Sequence, residues 1–184
     1  IVDGKFGKAR YFNGQSDYIV VPDSPSLKNF SQLTIEAWVY PSGFDLQCWA
    51  LDEGLVIKGD STDFYASNAY GIQMVRNYDP ISGCVSASSF DKIRFGMAFG
   101  SVGVSSLEHA PNQWYYVVGT FDGLKVRIYI NGVEESSGIA PAQIVANSRD
   151  LYMNHHTWGG GGASSQRMQG IIDEVRISNV ARSQ

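Results

Sequence analysis

The chain has 184 residues, of which 43% are hydrophobic and 17% charged, enough apolar material for one ordinary core and far from the composition of a disordered chain. Its formal charge of −4, with the Lys and Arg scattered along the chain, excludes the clustered basic surface that nucleic acid requires. No apolar stretch approaches the roughly 20 residues of a membrane helix, so membrane insertion is excluded as well.

The 20 Gly, 6 Pro, 9 Phe, 10 Tyr and 4 Trp favour short strands joined by tight turns. In chain order, strand-like segments are predicted at Ala9–Phe12, Tyr18–Val21, Leu33–Tyr40, Trp49–Lys58, Tyr70–Arg76, Lys92–Phe99, Trp114–Phe121, Lys125–Ile130, Leu151–Met153 and Ile171–Ile177, with one short helical turn over Pro25–Asn29. The Asp122-Gly123 and Asn131-Gly132 pairs suit tight hairpin turns, which makes Trp114 to Glu135 a three-stranded meander. Gly59–Asn68 and Asn154–Gln169 read as long irregular loops, the places on a rigid scaffold where function concentrates. Ile1 opens inside a strand-like pattern with neither Met nor a signal peptide, the expectation for a mature or excised module of a larger polypeptide. Cys48 and Cys84 either pair or stand as two small buried hydrophobes; the sequence leaves both open.

Five segments in order carry a family resemblance: Gly4–Ala9 with Tyr11–Pro22, Leu33–Pro41, Trp114–Gly123, Ile128–Gly132 and Gly170–Ile177. The chain resembles the laminin G-like jelly rolls of the concanavalin A-like lectin/glucanase superfamily. The resemblance implies an all-β fold, a two-sheet antiparallel β-sandwich built as one domain over residues 1–184, with the first and last strands side by side. Trp38, Trp114 and Phe121 are then expected to fill the core between the sheets.

The Asn13-Gly14-Gln15-Ser16-Asp17 turn is rich in the oxygen ligands that a hard cation wants. Relatives that hold a metal where the two terminal motifs meet take an acidic residue from each, which maps onto Asp17 and Asp173. The resemblance therefore implies a structural calcium ion at Asp17, Asp173 and Asn13, the last standing where many relatives carry Asp.

Sugars offer apolar C–H faces for stacking and hydroxyls for hydrogen bonding, so a binding loop should mix aromatic with polar residues. Asn154, His155, His156 and Trp158 fit that description, as do Asp63 with Tyr65, and Arg76 with Tyr78 and Asp79. Adjacent histidines on a strand point to opposite faces, and neither HExxH nor a cysteine partner accompanies His155 and His156, so a transition-metal site is not expected there. Paired catalytic carboxylates in the superfamily's Glu-x-Asp-x-x-Glu spacing are missing, as are nucleophile-turn and phosphate-loop motifs. The expectation is a non-catalytic, lectin-like carbohydrate-binding module of a secreted or cell-surface protein, with a polysaccharide or glycan as ligand and neighbouring domains in the same chain. A protein-interaction or adhesion module is the alternative, and a divergent hydrolase or lyase the third.

Overall fold

The computed structural model describes residues 1–44, 52–59, 68–75, 92–97, 102–104, 107–139, 144, 147–157 and 165–182. Its strands are β1 (Val2–Asp3), β2 (Lys8–Asn13), β3 (Ile19–Val21), β4 (Leu33–Phe44), β5 (Asp52–Gly59), β6 (Asn68–Val75), β7 (Lys92–Met97), β8 (Val102–Val104), β9 (Tyr115–Phe121), β10 (Lys125–Ile130), β11 (Val133–Ile139), β12 (Leu151–Met153), β13 (His156–Thr157), β14 (Ser165–Gln166) and β15 (Met168–Ser178). A single 3-10 turn at Pro25–Leu27 falls where the short helical turn is predicted. Among the described residues no helix is long and apolar enough to cross a membrane. Cys48 and Cys84 lie outside the described residues.

The strands form two antiparallel sheets, one of seven strands in the order β1-β2-β15-β4-β9-β10-β11 and one of six in the order β3-β12-β5-β6-β7-β8, with β13 and β14 as a separate two-stranded ribbon. Side chains alternate across each strand, so each sheet commits one face to a shared core. Leu33, Ile35, Ala37 and Val39 of β4 with Val117 and Phe121 of β9 meet Tyr70, Ile72 and Met74 of β6 and Ile93, Phe95 and Met97 of β7. At Gly119 the sheets approach so closely that a Cβ would lie 2.3 Å from the Phe95 ring, which explains the missing side chain there. The last strand runs between the first long strand and β4, pairing antiparallel with both. Phe12 and Ile172 thereby reach the core together.

The predicted meander is present as β9, β10 and β11, and its turns are local chemistry. Asp122 Oδ1 accepts from the amides of Leu124 (2.9 Å) and Lys125 (2.8 Å), and its Oδ2 from Arg127 Nη1 (2.6 Å). These bonds, the Lys125 amide first, hold its carboxyl down at about 2. Asn131 and Gly132 take φ values of 51° and 85°, as a two-residue turn with both residues left-handed demands.

Two expectations need correction. Trp38 does not fill the core: Leu33, Ile35, Ala37 and Val39 take the inner face of β4, so Trp38 shares the outer face with Glu36 and Tyr40. There it stacks on Tyr116 (5.1 Å between centroids), meets the edge of Phe6 (5.9 Å) and carries Lys5 Nζ 4.7 Å from its ring centre. Tyr116 donates to Glu36 Oε2 (2.6 Å); burial, then that bond to a carboxylate, push its phenol up to about 12. Trp114 is half-buried beside Tyr40 (5.4 Å), and of the three only Phe121 is fully enclosed. The segment Asn154–Gln169, read as loop, contributes β13 and β14, and the ribbon they form lies against β5.

Candidate functional site

The outer face of the six-stranded sheet is built in rows. Val20, Tyr152, Ile57, Gly71 and Gly96 stand in register from β3 to β7, and two residues further along Gly54, Gln73 and Arg94 are in register from β5 to β7. Their neighbours Val56, Ile72, Met74, Ile93 and Phe95 belong to the core, so the rows face outward. At the β3 edge of this face three rings gather. His155 stacks on Tyr152 (5.2 Å, 29° between planes) and leans on Tyr18 (4.9 Å), while the Arg167 guanidinium sits 5.2 Å from the centre of the Tyr18 ring. Arg167 Nη1 also donates to the Gln15 carbonyl (2.5 Å), and burial pushes its pKa down from the usual arginine value. Tyr18 remains 46% exposed, so one of the three rings offers substantial area to a ligand.

The backbone that presents this cluster is fastened by Asn154. Its amide donates to the carbonyls of Asp17 (3.2 Å) and Met168 (3.0 Å) and accepts from the Met168 amide (2.9 Å). Its own N–H and that of His155 bond to Leu55 and Gly54 carbonyls, continuing the β12–β5 pairing. Asn154 is 0% exposed, with a left-handed φ of 57°. The expectation that it contacts ligand is therefore corrected: its polar atoms are spent on the backbone on either side of the ring cluster.

His155, which the sequence reading expects to contact ligand, lies in the ring cluster. His156 contributes backbone to β13. Trp158, Asp63, Tyr65, Arg76, Tyr78 and Asp79 lie outside the described residues. Tyr18, Tyr152 and Arg167 are additions that sequence reasoning missed; the available signal was period-two alternation, which sets Tyr18 and Val20 on the face opposite Ile19.

The three expected calcium ligands do not come together. Asn13 pairs with Gln169 across β2 and β15, and Asp173 stands four residues further along β15, about 13 Å away at the rise of an extended strand. At one place, Asn13 Oδ1 accepts from the amides of Gln15 (2.9 Å), Ser16 (2.9 Å) and Asp17 (3.1 Å), and Asp17 Oδ2 accepts from the Asn13 amide (3.2 Å). Those N–H groups turn their positive ends toward the oxygens a cation would need. At the other, Asp173, 5% exposed, accepts from the amides of Phe6 (3.0 Å) and Glu174 (2.9 Å). The residues present do not fit one shared metal. Replacing Asp173 by alanine is expected to cost about 2 kcal/mol through the two stranded amides. Thermal melts should show the same loss in calcium and in chelator; a loss seen only in calcium would restore a cation at Asp173.

A family model described as the concanavalin A-like lectin/glucanases superfamily matches residues 13–184. The chain belongs to that superfamily. Among curated protein sequences none matches it. Of solved structures, domain 4 of AbnA, a GH43 extracellular arabinanase from Geobacillus stearothermophilus, in complex with arabinotriose, is 26% identical, with 99% of this chain and 75% of that one covered at a TM-score of 0.68. The binding domain of Paraclostridial Mosquitocidal Protein 1 is 16% identical over 99% of this chain and 42% of that one, TM-score 0.69. Trypanosoma rangeli sialidase is 15% identical over 98% of this chain but only 26% of the sialidase, TM-score 0.59. The last two likenesses speak for the concanavalin A-like fold alone.

Proposed function

We propose that residues 1–184 form one non-catalytic saccharide-binding domain that works outside the cell within a longer polypeptide. The observation that carries the reading is the Tyr18–His155–Tyr152 ring cluster with Arg167 against it, at the edge of an otherwise regular sheet face. An exposed phenol ring packs on the C–H face of a sugar, and the adjoining guanidinium and imidazole supply hydrogen bonds to its hydroxyls. The relative solved with arabinotriose supports the ligand class and makes arabinose oligomers the first ligands to try. A non-catalytic role is supported at two carboxylates of the seven-stranded sheet, Asp173, which is occupied by two amides, and Glu36, which is occupied by the Tyr116 hydroxyl and Arg176. Calcium has no part in this reading.

The test is isothermal titration calorimetry of the 184-residue chain with arabinotriose and a panel of other oligosaccharides, beside Tyr18→Ala. The expected result is binding of at least one saccharide, weakened about tenfold by the loss of the ring. Absence of any saccharide binding would overturn the proposal in favour of a protein-docking role, and release of reducing sugar during incubation would overturn its non-catalytic part.

A further inference from the structure

The outer face of the seven-stranded sheet carries a second gathering of rings, on the other side of the sandwich from Tyr18. Asp173, Trp38 and Tyr116 stand in register across β15, β4 and β9, and Arg176, Glu36 and Val118 form the next row. The turn between β1 and β2 folds over this face. Its Gly4 amide donates to the Gly7 carbonyl (3.0 Å), and its Phe6 amide donates to Asp173 Oδ2 (3.0 Å). So fastened, the turn sets the Phe6 ring edge-on to Trp38 and leaves it 56% exposed. Phe6, Trp38, Tyr116, Glu36, Glu174 and Arg176 together line an open cavity of about 170 Å³.

The backbone at this cavity is unusual. Glu174 and Val175 both face Ala37 of β4, a β-bulge between the Asp173–Trp38 and Arg176–Glu36 pairs, and Glu174 takes a left-handed φ of 50°. Glycine or asparagine adopts that backbone at lower cost, and a bulge re-aims the side chain it carries. Arg176 and Arg182 pair with Glu36 (3.3 and 3.8 Å) and not with Glu174, which is exposed. Strain that places a solvent-facing carboxylate beside an exposed ring calls for an explanation outside the fold.

We infer that this cavity is a second saccharide site, so that the domain holds two saccharide segments at once, one on each sheet; the ligand class rests on the saccharide-binding reading above. Phe6 and Tyr116 offer ring surface to a C–H face of the sugar. Glu174 accepts from one hydroxyl. A guanidinium has five N–H groups, so Arg176, paired with Glu36 and with a side chain 56% exposed, keeps donors for the neighbouring hydroxyl. Because a carboxylate and a guanidinium share the cavity, a ligand of either net charge meets a like charge there, and a neutral sugar is the class selected.

The test is titration calorimetry and thermal melting of wild type, Phe6→Ala, Glu174→Gly and Tyr18→Ala with a saccharide of the panel that the wild type binds. The expected stoichiometry is two per chain. Glu174→Gly should melt at or above wild type, since glycine takes the left-handed backbone freely, yet bind at least tenfold more weakly at one of the two sites. Phe6→Ala should weaken the same site, while Tyr18→Ala leaves it unchanged. A stoichiometry of one, weakened by Tyr18→Ala and untouched by the other two substitutions, would overturn this inference and leave the saccharide-binding reading intact. Affinity lost only together with a lowered melting temperature in both Phe6→Ala and Glu174→Gly would show a structural role and overturn it too. Failure of the wild type to bind any saccharide would bring down both readings, a result distinguishable from the other two.

Discussion

Replacing Asp23 with alanine is expected to lower the melting temperature by on the order of 10 °C. The cause is the partner it leaves behind. Lys58 closes β5 with a side chain that is 0% exposed, and its ammonium is held by Asp23 Oδ1 (2.7 Å) and the Arg149 carbonyl. Asp23 Oδ2 accepts in turn from Lys28 (2.6 Å), while the Asp23 amide donates to Asp150 Oδ1 (2.9 Å). This small network ties the exit of β3 to the end of β5 and to the approach to β12. Removing the carboxylate strands one buried cation, whereas removing the cation leaves Asp23 with Lys28. Lys58→Met should therefore cost much less than Asp23→Ala, and the double variant should recover most of the loss, a coupling that a double-mutant cycle measures directly. The pH dependence follows in sign. The hydrogen bond from Lys28, then that from Lys58, holds the Asp23 carboxyl below its ordinary value of 3.8. Its contribution is thus present above about pH 4 and lost as the pH falls through the depressed pKa. Single and double variants that melt alike at neutral pH would show that the Lys58 ammonium needs no carboxylate.

Which parts of this molecule can be read from sequence depends on how local their causes are. The β9–β10–β11 meander is legible because Asp122-Gly123 and Asn131-Gly132 hold their turns with bonds spanning two or three residues and with φ values that few other pairs tolerate. Trp38 shows the opposite failure, since the family resemblance implies a core position while the alternation around it, with Glu36 and Tyr40 two residues to either side, already points outward. The three residues expected to share a calcium ion are parted by register. Motif order brings β2 and β15 together, as found, but nothing in either strand announces that Asn13 faces Gln169 rather than Asp173. The ring cluster was only partly visible because Tyr18 meets Tyr152 and His155 from more than a hundred residues away, and because β13 and β14 are two residues each inside a glycine-rich stretch.

Asn154→Ala is expected to cost about 4 kcal/mol, and the reasoning separates a structural role from a ligand role at the same residue. Alanine removes three hydrogen bonds and strands the Met168 amide and the carbonyls of Met168 and Asp17, at about 1 kcal/mol or more for each bond lost. It also has to adopt the left-handed backbone that asparagine tolerates, for about 1 kcal/mol more. Asn154→Gly relieves that second cost alone and should sit about 1 kcal/mol above the alanine variant. Asn154→Asp keeps the acceptor for the Met168 amide but sets carboxylate oxygen against two carbonyls, so it should recover nothing. Denaturant unfolding orders the three. The same bonds connect Asp17, next to Tyr18, with Met168, next to Arg167, so loosening them also releases the ring cluster. Saccharide affinity should then fall in the alanine variant in step with stability, and Tyr18→Ala should lose affinity with little change in stability. An Asn154→Ala variant that melts like wild type but binds no saccharide would mean that the amide faces the ligand after all.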